Sequence, residues 1–194
     1  MDIWQIAIII LSLRMQTKDV KMKKKILFLD IDGVLNTERH HEYCYDKGID
    51  NSDEYGYLFD PIAVKNLARI VDESGACIVI SSSWKYSGLS TLVDMWSDRS
   101  LPGRVIDITP DTESDEFLLN ADLEDMELFS CRGYEIKEWL TAHGKGVEGY
   151  AILDDEQEML PEQQGHFVQT NPTVGITEED AEKVIVILAK EKQS

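Results

Sequence analysis

Residues 26–36 read ILFLDIDGVLN. An apolar run ends abruptly in Asp30, and Asp32 follows with a single residue between them. A short segment that is apolar on both faces and closed by a glycine has the character of a buried strand, so 25–29 is read as one. Gly33 gives the backbone freedom to turn closely past whatever the two carboxylates hold. A strand driven into the core that finishes in paired negative charges needs a reason, and the rest of the chain supplies it.

The same pattern recurs downstream. Residues 76–80 (ACIVI) read as a second buried strand and run into Ser81-Ser82-Ser83-Trp84. Residues 150–155 (YAILDD) are a third apolar run, ending in Asp154 and Asp155. RVIDI at 104–108 and HFVQT at 166–170 read as further strands. Helices fall between them. Asp60 is a plausible cap with Pro61 in the first turn, followed by a stripe of Ile62, Leu67, Ile70 and Val71, and Gly75 ends the helix. Leu89, Leu92, Val93 and Trp96 mark a short helix over 89–97, and Ile136, Trp139 and Leu140 mark another over 132–141. Thr177 with Asp180 is a capping pair for a last helix running to about Lys190. Residues 37–60 are polar and aromatic and read as irregular. Strands alternating with helices, the strands apolar on both faces, imply an α/β fold with a mostly parallel sheet flanked by helices. Such sheets bind ligands beyond the carboxyl ends of their strands, which places Asp30, Asp32, Ser81, Asp154 and Asp155 at one edge.

Composition narrows the classes. The chain has 194 residues, 43 % of them hydrophobic, enough for one domain with a real core. Its formal net charge of −18 argues against binding extended nucleic acid through a basic surface. Cys44, Cys77 and Cys131 are odd in number and match no zinc spacing, so reduced thiols and a cytoplasmic setting are expected, with Cys77 buried. Residues 3–13 (IWQIAIIILSL) are apolar but shorter than the ~20 residues a bilayer span needs. They carry neither a basic lead nor a cleavage site. No membrane partner is expected. Met22, followed by three lysines, is read as the natural start, with 1–21 as an extension and 22–194 as the domain. The segment 107–127 is dense in Asp and Glu and has no Lys or Arg. It reads as a solvated acidic loop, or else as a docking surface for a protein partner.

Carboxylates gathered at one edge repel. Two unit charges ~4 Å apart cost roughly 4 kcal/mol at an effective dielectric near 20. A bound cation offsets that cost, and an all-oxygen donor set without His or Cys selects Mg²⁺. Magnesium keeps part of its shell for water and phosphate. The two carboxylates can then divide the chemistry of a phosphoryl group: one attacks phosphorus, the other moves protons. A hydroxyl at Ser81 and a cation from elsewhere would bind the phosphoryl oxygens.

DIDGVLN, IVIS ending at Ser81, and AILDD resemble, in order and spacing, three motifs of the haloacid dehalogenase (HAD) superfamily of phosphohydrolases. SSSWK, RGYEIKEWL, YAILDDEQEM and VQTNPTVGITEEDA make the chain more closely similar to the HAD-like domain of Swiss army knife RNA repair proteins, which also occurs in stand-alone bacterial proteins. The resemblance covers about residues 24–190. It implies a Rossmann-like core, Mg²⁺ and phosphatase activity. It makes Asp30 the nucleophile and Asp32 the general acid and base. Metal ligands would be Asp30, the Asp32 carbonyl and Asp154, with Asp155 supporting through water. Ser81 would bind phosphate, with Gly33 and Ser82 beside it. The third motif needs a Lys or Arg near a helix start; Arg132 fits best and Lys137 is second. Lys85 stands where the family pattern has Arg, which keeps the charge and loses the bidentate fork.

The stretches after Asp32 and between Ser81 and Arg132 are too short for a full cap domain, so the site is expected to be open. An open site suits a phosphorylated small molecule or a nucleic-acid end. Two rival readings remain: a metal-binding regulatory module with little turnover, and a phosphotransferase. His40 and His41, just after the first motif, read as an exposed polar loop or else as substrate contacts. Tyr43, Tyr45, Tyr55 and Tyr57 either stack on a base or pack that loop down. Trp84, Trp96 and Trp139 read as core.

Overall fold

The computed structural model describes residues 24–112 and 131–190. The extension 1–21 and most of the acidic segment, 113–127, lie outside the described residues. Strand β1 (Lys24–Leu29) lies at the centre of a five-stranded sheet with β4 (Cys77–Ile80), β5 (Val105–Ile108), β6 (Val147–Asp154) and β7 (Phe167–Gln169), in the order β5-β4-β1-β6-β7. Every pairing in this sheet is parallel. A separate two-stranded hairpin joins β2 (Ser52–Asp53) to β3 (Gly56–Tyr57).

The strands are apolar on both faces because both faces are covered. Leu27, Leu29, Ile78, Ile80, Ala151 and Leu153 point into the larger core cluster. There they meet α2 (Pro61–Ser74), α3 (Leu89–Asp98) and α5 (Glu178–Ala189) through Leu67, Ile70, Leu92, Met95, Val184 and Leu188. The alternate residues Ile26, Phe28, Val79 and Ile152 meet Ile136 and Trp139 of α4 (Arg132–His143) on the other face. Among the described residues no separate cap domain stands over the strand ends, and no helix is long and apolar enough to cross a membrane.

Four expectations need correction. Residues 37–60 are not irregular: they hold α1 (Glu38–Lys47) and the hairpin. Thr37 caps α1 by accepting from the His40 N–H, and Gly48 closes it in the left-handed region. The helix buries only Cys44, so it has no apolar stripe for periodicity to detect. It is held instead by backbone hydrogen bonds from Glu38 and Arg39 to the Pro172 and Thr173 carbonyls and by the Arg39–Asp60 ion pair. Ile62 and Val93 face outward, 54 % and 41 % exposed; the inner faces use Ala63 and Asn66 in α2 and Met95 in α3. Trp84 is only partly buried. Cys77 is only half-buried, with an Arg104 N–H group 3.4 Å from its sulfur, whereas Cys44 is the buried thiol.

Strand order decides where a site can form. From β1 the chain builds outward through β4 to β5, then returns across β1 to build β6 and β7 on the other side. The order reverses between β1 and β6, and a crevice opens at the carboxyl ends there. Backbone hydrogen bonds tie three strand exits together: Asp30 N–H to the Leu153 carbonyl at 3.0 Å, and Ser81 N–H to the Leu29 carbonyl at 2.9 Å.

Candidate active site

Asp30 leaves β1 and Asp154 ends β6, and both lie at the switch point, 5 % and 1 % exposed. Asp155 follows on the same edge. One carboxylate oxygen from each of Asp30, Asp154 and Asp155 lies within 4.8 Å of the others. Arg132 opens α4 and reaches in from the far side. Its Nη1 is 3.1 Å from Asp30 Oδ1 and 3.5 Å from Asp154 Oδ2, and it also donates to the Ser81 carbonyl. Gly133 makes that approach feasible. A Cβ there would fall 2.6 Å from the Leu160 nitrogen and 2.8 Å from the Glu158 carbonyl oxygen, so only glycine lets the start of α4 press onto this loop. Gln163 locks the contact by donating to the Gly133 carbonyl at 2.7 Å.

The electrostatics follow from crowding. Burial pushes the Asp30 carboxyl above its ordinary range, while the Arg132 charge and a hydrogen bond from Ser82 pull the other way. Burial, then the Asp30 charge, pushes Asp154 up to about 7. Burial and the Asp30 charge raise Asp155 as well. Among the described residues, Asp154 Oδ2 and the Ser81 hydroxyl are two buried polar atoms here with no hydrogen-bond partner. Buried polar atoms are rarely left so, and each asks for a ligand. Hard carboxylate oxygens around an orphaned buried oxygen suit a small divalent cation such as Mg²⁺.

Asp32 has a different setting. Its side chain is exposed and its carboxylate lies outside the three-carboxylate cluster. The Trp84 indole donates to its Oδ2 at 2.9 Å and the Asn36 amide to its Oδ1 at 2.7 Å. Gly33 has φ of +70°, and a Cβ on it would lie 2.4 Å from Asp155 Cγ, so glycine brings the β1 loop against the second acidic pair. Thr170 donates to the Gly33 carbonyl at 3.0 Å and pins the loop from the β7 side.

The two cation candidates left by the sequence separate clearly. Arg132 meets the carboxylates, whereas Lys137 is exposed with its ammonium 5.5 Å from the Tyr134 ring centroid. Lys85 is buried and already neutralised: it pairs with Glu135 and donates to the Pro110 carbonyl at 3.1 Å. Ser82, Lys85, Arg132 and Glu135 line a cavity of about 150 Å³ together with Ser83 and Glu158. Sequence reasoning missed Asn36, Trp84, Gly133 and Glu135 as parts of this edge. Asn36 and Trp84 stand inside stretches that the motifs themselves mark out, and only their partners were hidden.

Residues 26–181 match the family described as the HAD domain in Swiss Army Knife RNA repair proteins. The chain belongs to this family. A comparison with curated proteins finds no match. Among solved structures, a HAD superfamily (subfamily III A) hydrolase from Legionella pneumophila is similar at 11 % identity over 92 % of each chain, with a TM-score of 0.37. That likeness is distant, and no role is transferred from it. As a HAD-family domain the chain falls among hydrolases.

Proposed function

We propose that the protein is a Mg²⁺-dependent phosphomonoesterase that works through an aspartyl-phosphate on Asp30. The observation that carries this reading is the meeting of Asp30, Asp154 and Asp155 with Arg132, beside the unpartnered Ser81 hydroxyl. Asp30, Asp154 and the Asp32 carbonyl would hold the cation, with Asp155 behind them. The cation would neutralise the carboxylates and the phosphoryl charge, letting a nucleophilic carboxylate and a phosphate approach.

The chain's own residues perform the rest. Ser81 Oγ donates to a phosphoryl oxygen, and Arg132 holds Asp30 from behind. An Asp30 carboxylate oxygen attacks phosphorus, and the bond from phosphorus to the leaving oxygen breaks. Asp32 gives its proton to that oxygen, so an alcohol departs and Asp30 carries the phosphoryl group. A water then attacks the same phosphorus and loses a proton to Asp32. Inorganic phosphate leaves, and both carboxyl groups return to their starting states.

A phosphorylated small molecule or a terminal phosphate on a nucleic acid fits this reading best. The net charge of −18 disfavours an extended polynucleotide, and the family description names RNA repair proteins. The test is phosphate release from an aryl phosphate by the full chain with Mg²⁺, with chelator, and with Asp30→Asn. Release that needs Mg²⁺ and vanishes in the variant supports the reading. A folded, Mg²⁺-binding protein without release on aryl phosphates, nucleotides or 5′- and 3′-phosphorylated ends would sink it. A phosphorylated acceptor alcohol among the products would mark a phosphotransferase.

A further inference from the structure

Asp32 presents a problem that burial does not solve. It is exposed, so packing does not fix the plane of its carboxylate, yet proton transfer depends on that plane. Hydrogen bonds fix it instead, one from each side. Trp84 Nε1–H donates to Oδ2 at 2.9 Å and Asn36 Nδ2 donates to Oδ1 at 2.7 Å. Both donors are neutral groups whose N–H cannot be withdrawn by an ordinary change of pH.

The chain of bonds continues. Asn36 Oδ1 lies 2.5 Å from His41 Nε2, and His41 Nδ1 lies 3.3 Å from Asn51 Nδ2. The placed atoms fit one set of roles in both states of Asp32. Ionised, as when it takes a proton from water, its carboxylate only accepts, and protonated it keeps lone pairs that accept, so the Asn36 amide nitrogen faces Asp32 and its oxygen faces His41. His41 then donates from Nε2 and accepts from Asn51 at Nδ1. The end members are anchored independently. Trp84 packs edge-on to Phe59 with ring centroids 5.7 Å apart. The His41 ring stands edge-on to Tyr57 at 4.4 Å, and the Asn51 carbonyl accepts from the Leu58 N–H at 3.0 Å. Asn36 itself is held by a 2.9 Å bond from its N–H to the Ile31 carbonyl.

We infer that Asn36 and Trp84 are positioning residues for Asp32, and that His41 and Asn51 hold the Asn36 amide the right way round. This rests on the reading of Asp32 as the proton donor to the leaving group. Helix α1, which carries His41, and the segment entering the hairpin, where Asn51 stands one residue before β2, thereby gain a role in the chemistry.

The test compares leaving groups. A nitrophenolate leaves without help, whereas an alkoxide needs a proton in the transition state. Single-turnover release is measured for 4-nitrophenyl phosphate and for a simple alkyl phosphate, with the full chain and Mg²⁺. Asp32→Asn sets the reference: a loss on the alkyl ester of roughly 10²–10⁴-fold and a far smaller loss on the aryl ester. Trp84→Phe, which keeps a ring against Phe59, and Asn36→Ala are expected to repeat that pattern at about tenfold or more, the scale of one lost hydrogen bond at a reacting group. His41→Phe should follow more weakly. Equal losses on both esters would mean the network only supports the loop, and the inference falls. If wild type releases neither ester, or Asp32→Asn shows no preference, the proposed chemistry fails first and takes the inference with it. A second readout does not need activity. The Trp84 indole N–H resonance of the ¹⁵N-labelled full chain should move upfield in Asp32→Ala, and an unmoved resonance would overturn the contact itself.

Discussion

Asp30 and Asp32 stand two residues apart and live in different physical worlds. Asp30 is buried among other carboxylates, and burial, opposed by Arg132 at 3.1 Å, sets its charge. Asp32 is exposed, and hydrogen bonds set its orientation: Trp84 at 2.9 Å and Asn36 at 2.7 Å. On the proposed mechanism, burial suits the group that would attack, because a dry carboxylate has no hydration shell to shed. Exposure suits a group that must exchange protons with water, provided something else holds it still. One strand exit meets both demands because the chain turns out of the sheet between the two residues.

The strongest way to break this contrast is to remove each carboxylate in turn. On the proposed mechanism Asp30→Asn should abolish turnover on every ester, whatever its leaving group, because it removes the proposed nucleophile. Asp32→Asn should keep part of the aryl activity. Equal behaviour of the two variants would erase the distinction drawn here.

The next largest effect concerns stability. Arg132→Met removes the cation beside Asp30 and Asp154 and leaves buried charge uncompensated. Breaking a buried pair in this way costs about 3–5 kcal/mol. Urea unfolding in chelator should show that loss, and saturating Mg²⁺ should recover part of it. An unchanged midpoint would mean that water already compensates the site.

A milder perturbation is pH. In metal-free protein the Asp154 carboxyl stands at about 7 against an ordinary 3.8. A raised carboxyl keeps its proton in the folded chain after the unfolded chain has lost it. Its contribution is therefore most favourable below the ordinary value, fades as pH rises towards the folded value, and is flat beyond. Asp30 and Asp155 are raised too and act in the same direction. Thermal melts in chelator should show stability falling over this window, and Asp154→Asn should flatten the slope. Apparent Mg²⁺ affinity should climb over the same window, since the proton and the cation compete.

The smallest effect sharpens the contrast from the loop side. Gly33→Ala puts a Cβ 2.4 Å from Asp155 Cγ at a φ of +70°. The backbone cost alone is about 1–2 kcal/mol. A few-fold weaker Mg²⁺ response is expected, with the preference among leaving groups retained, because Asp32 keeps both its donors. Isothermal titration with Mg²⁺, paired with the two-ester comparison, would separate those outcomes.

Much of the site is legible in the sequence, and the reason is local. Each strand of the five-stranded sheet announces itself as an apolar run, and three of them run straight into Asp30, Ser81 and Asp154, so those residues can be named without a structure. The caps at Asp60 and Thr177 are local as well. Helix α1 escapes such a reading because it buries only Cys44 and is held by distant carbonyls at Pro172 and Thr173. Trp84 reads as core because a large aromatic usually is. Its indole instead reaches a carboxylate 52 positions earlier, a pairing no periodicity can reveal.

The sequence by itself determined which segments are buried strands, which carboxylates end them, and the family to which they belong. Those properties are written in runs of adjacent side chains. Tertiary structure alone decided that β6 returns to pair with β1, bringing Asp154 and Asp155 to Asp30. It set Arg132 against Asp30 and Asp154, because the first turn of α4 points at the strand ends, and left Lys137 exposed beside Tyr134. It neutralised Lys85 with Glu135 and placed two donors on Asp32. Those outcomes depend on strand order and on contacts between residues far apart in the chain, which only the packed fold brings together.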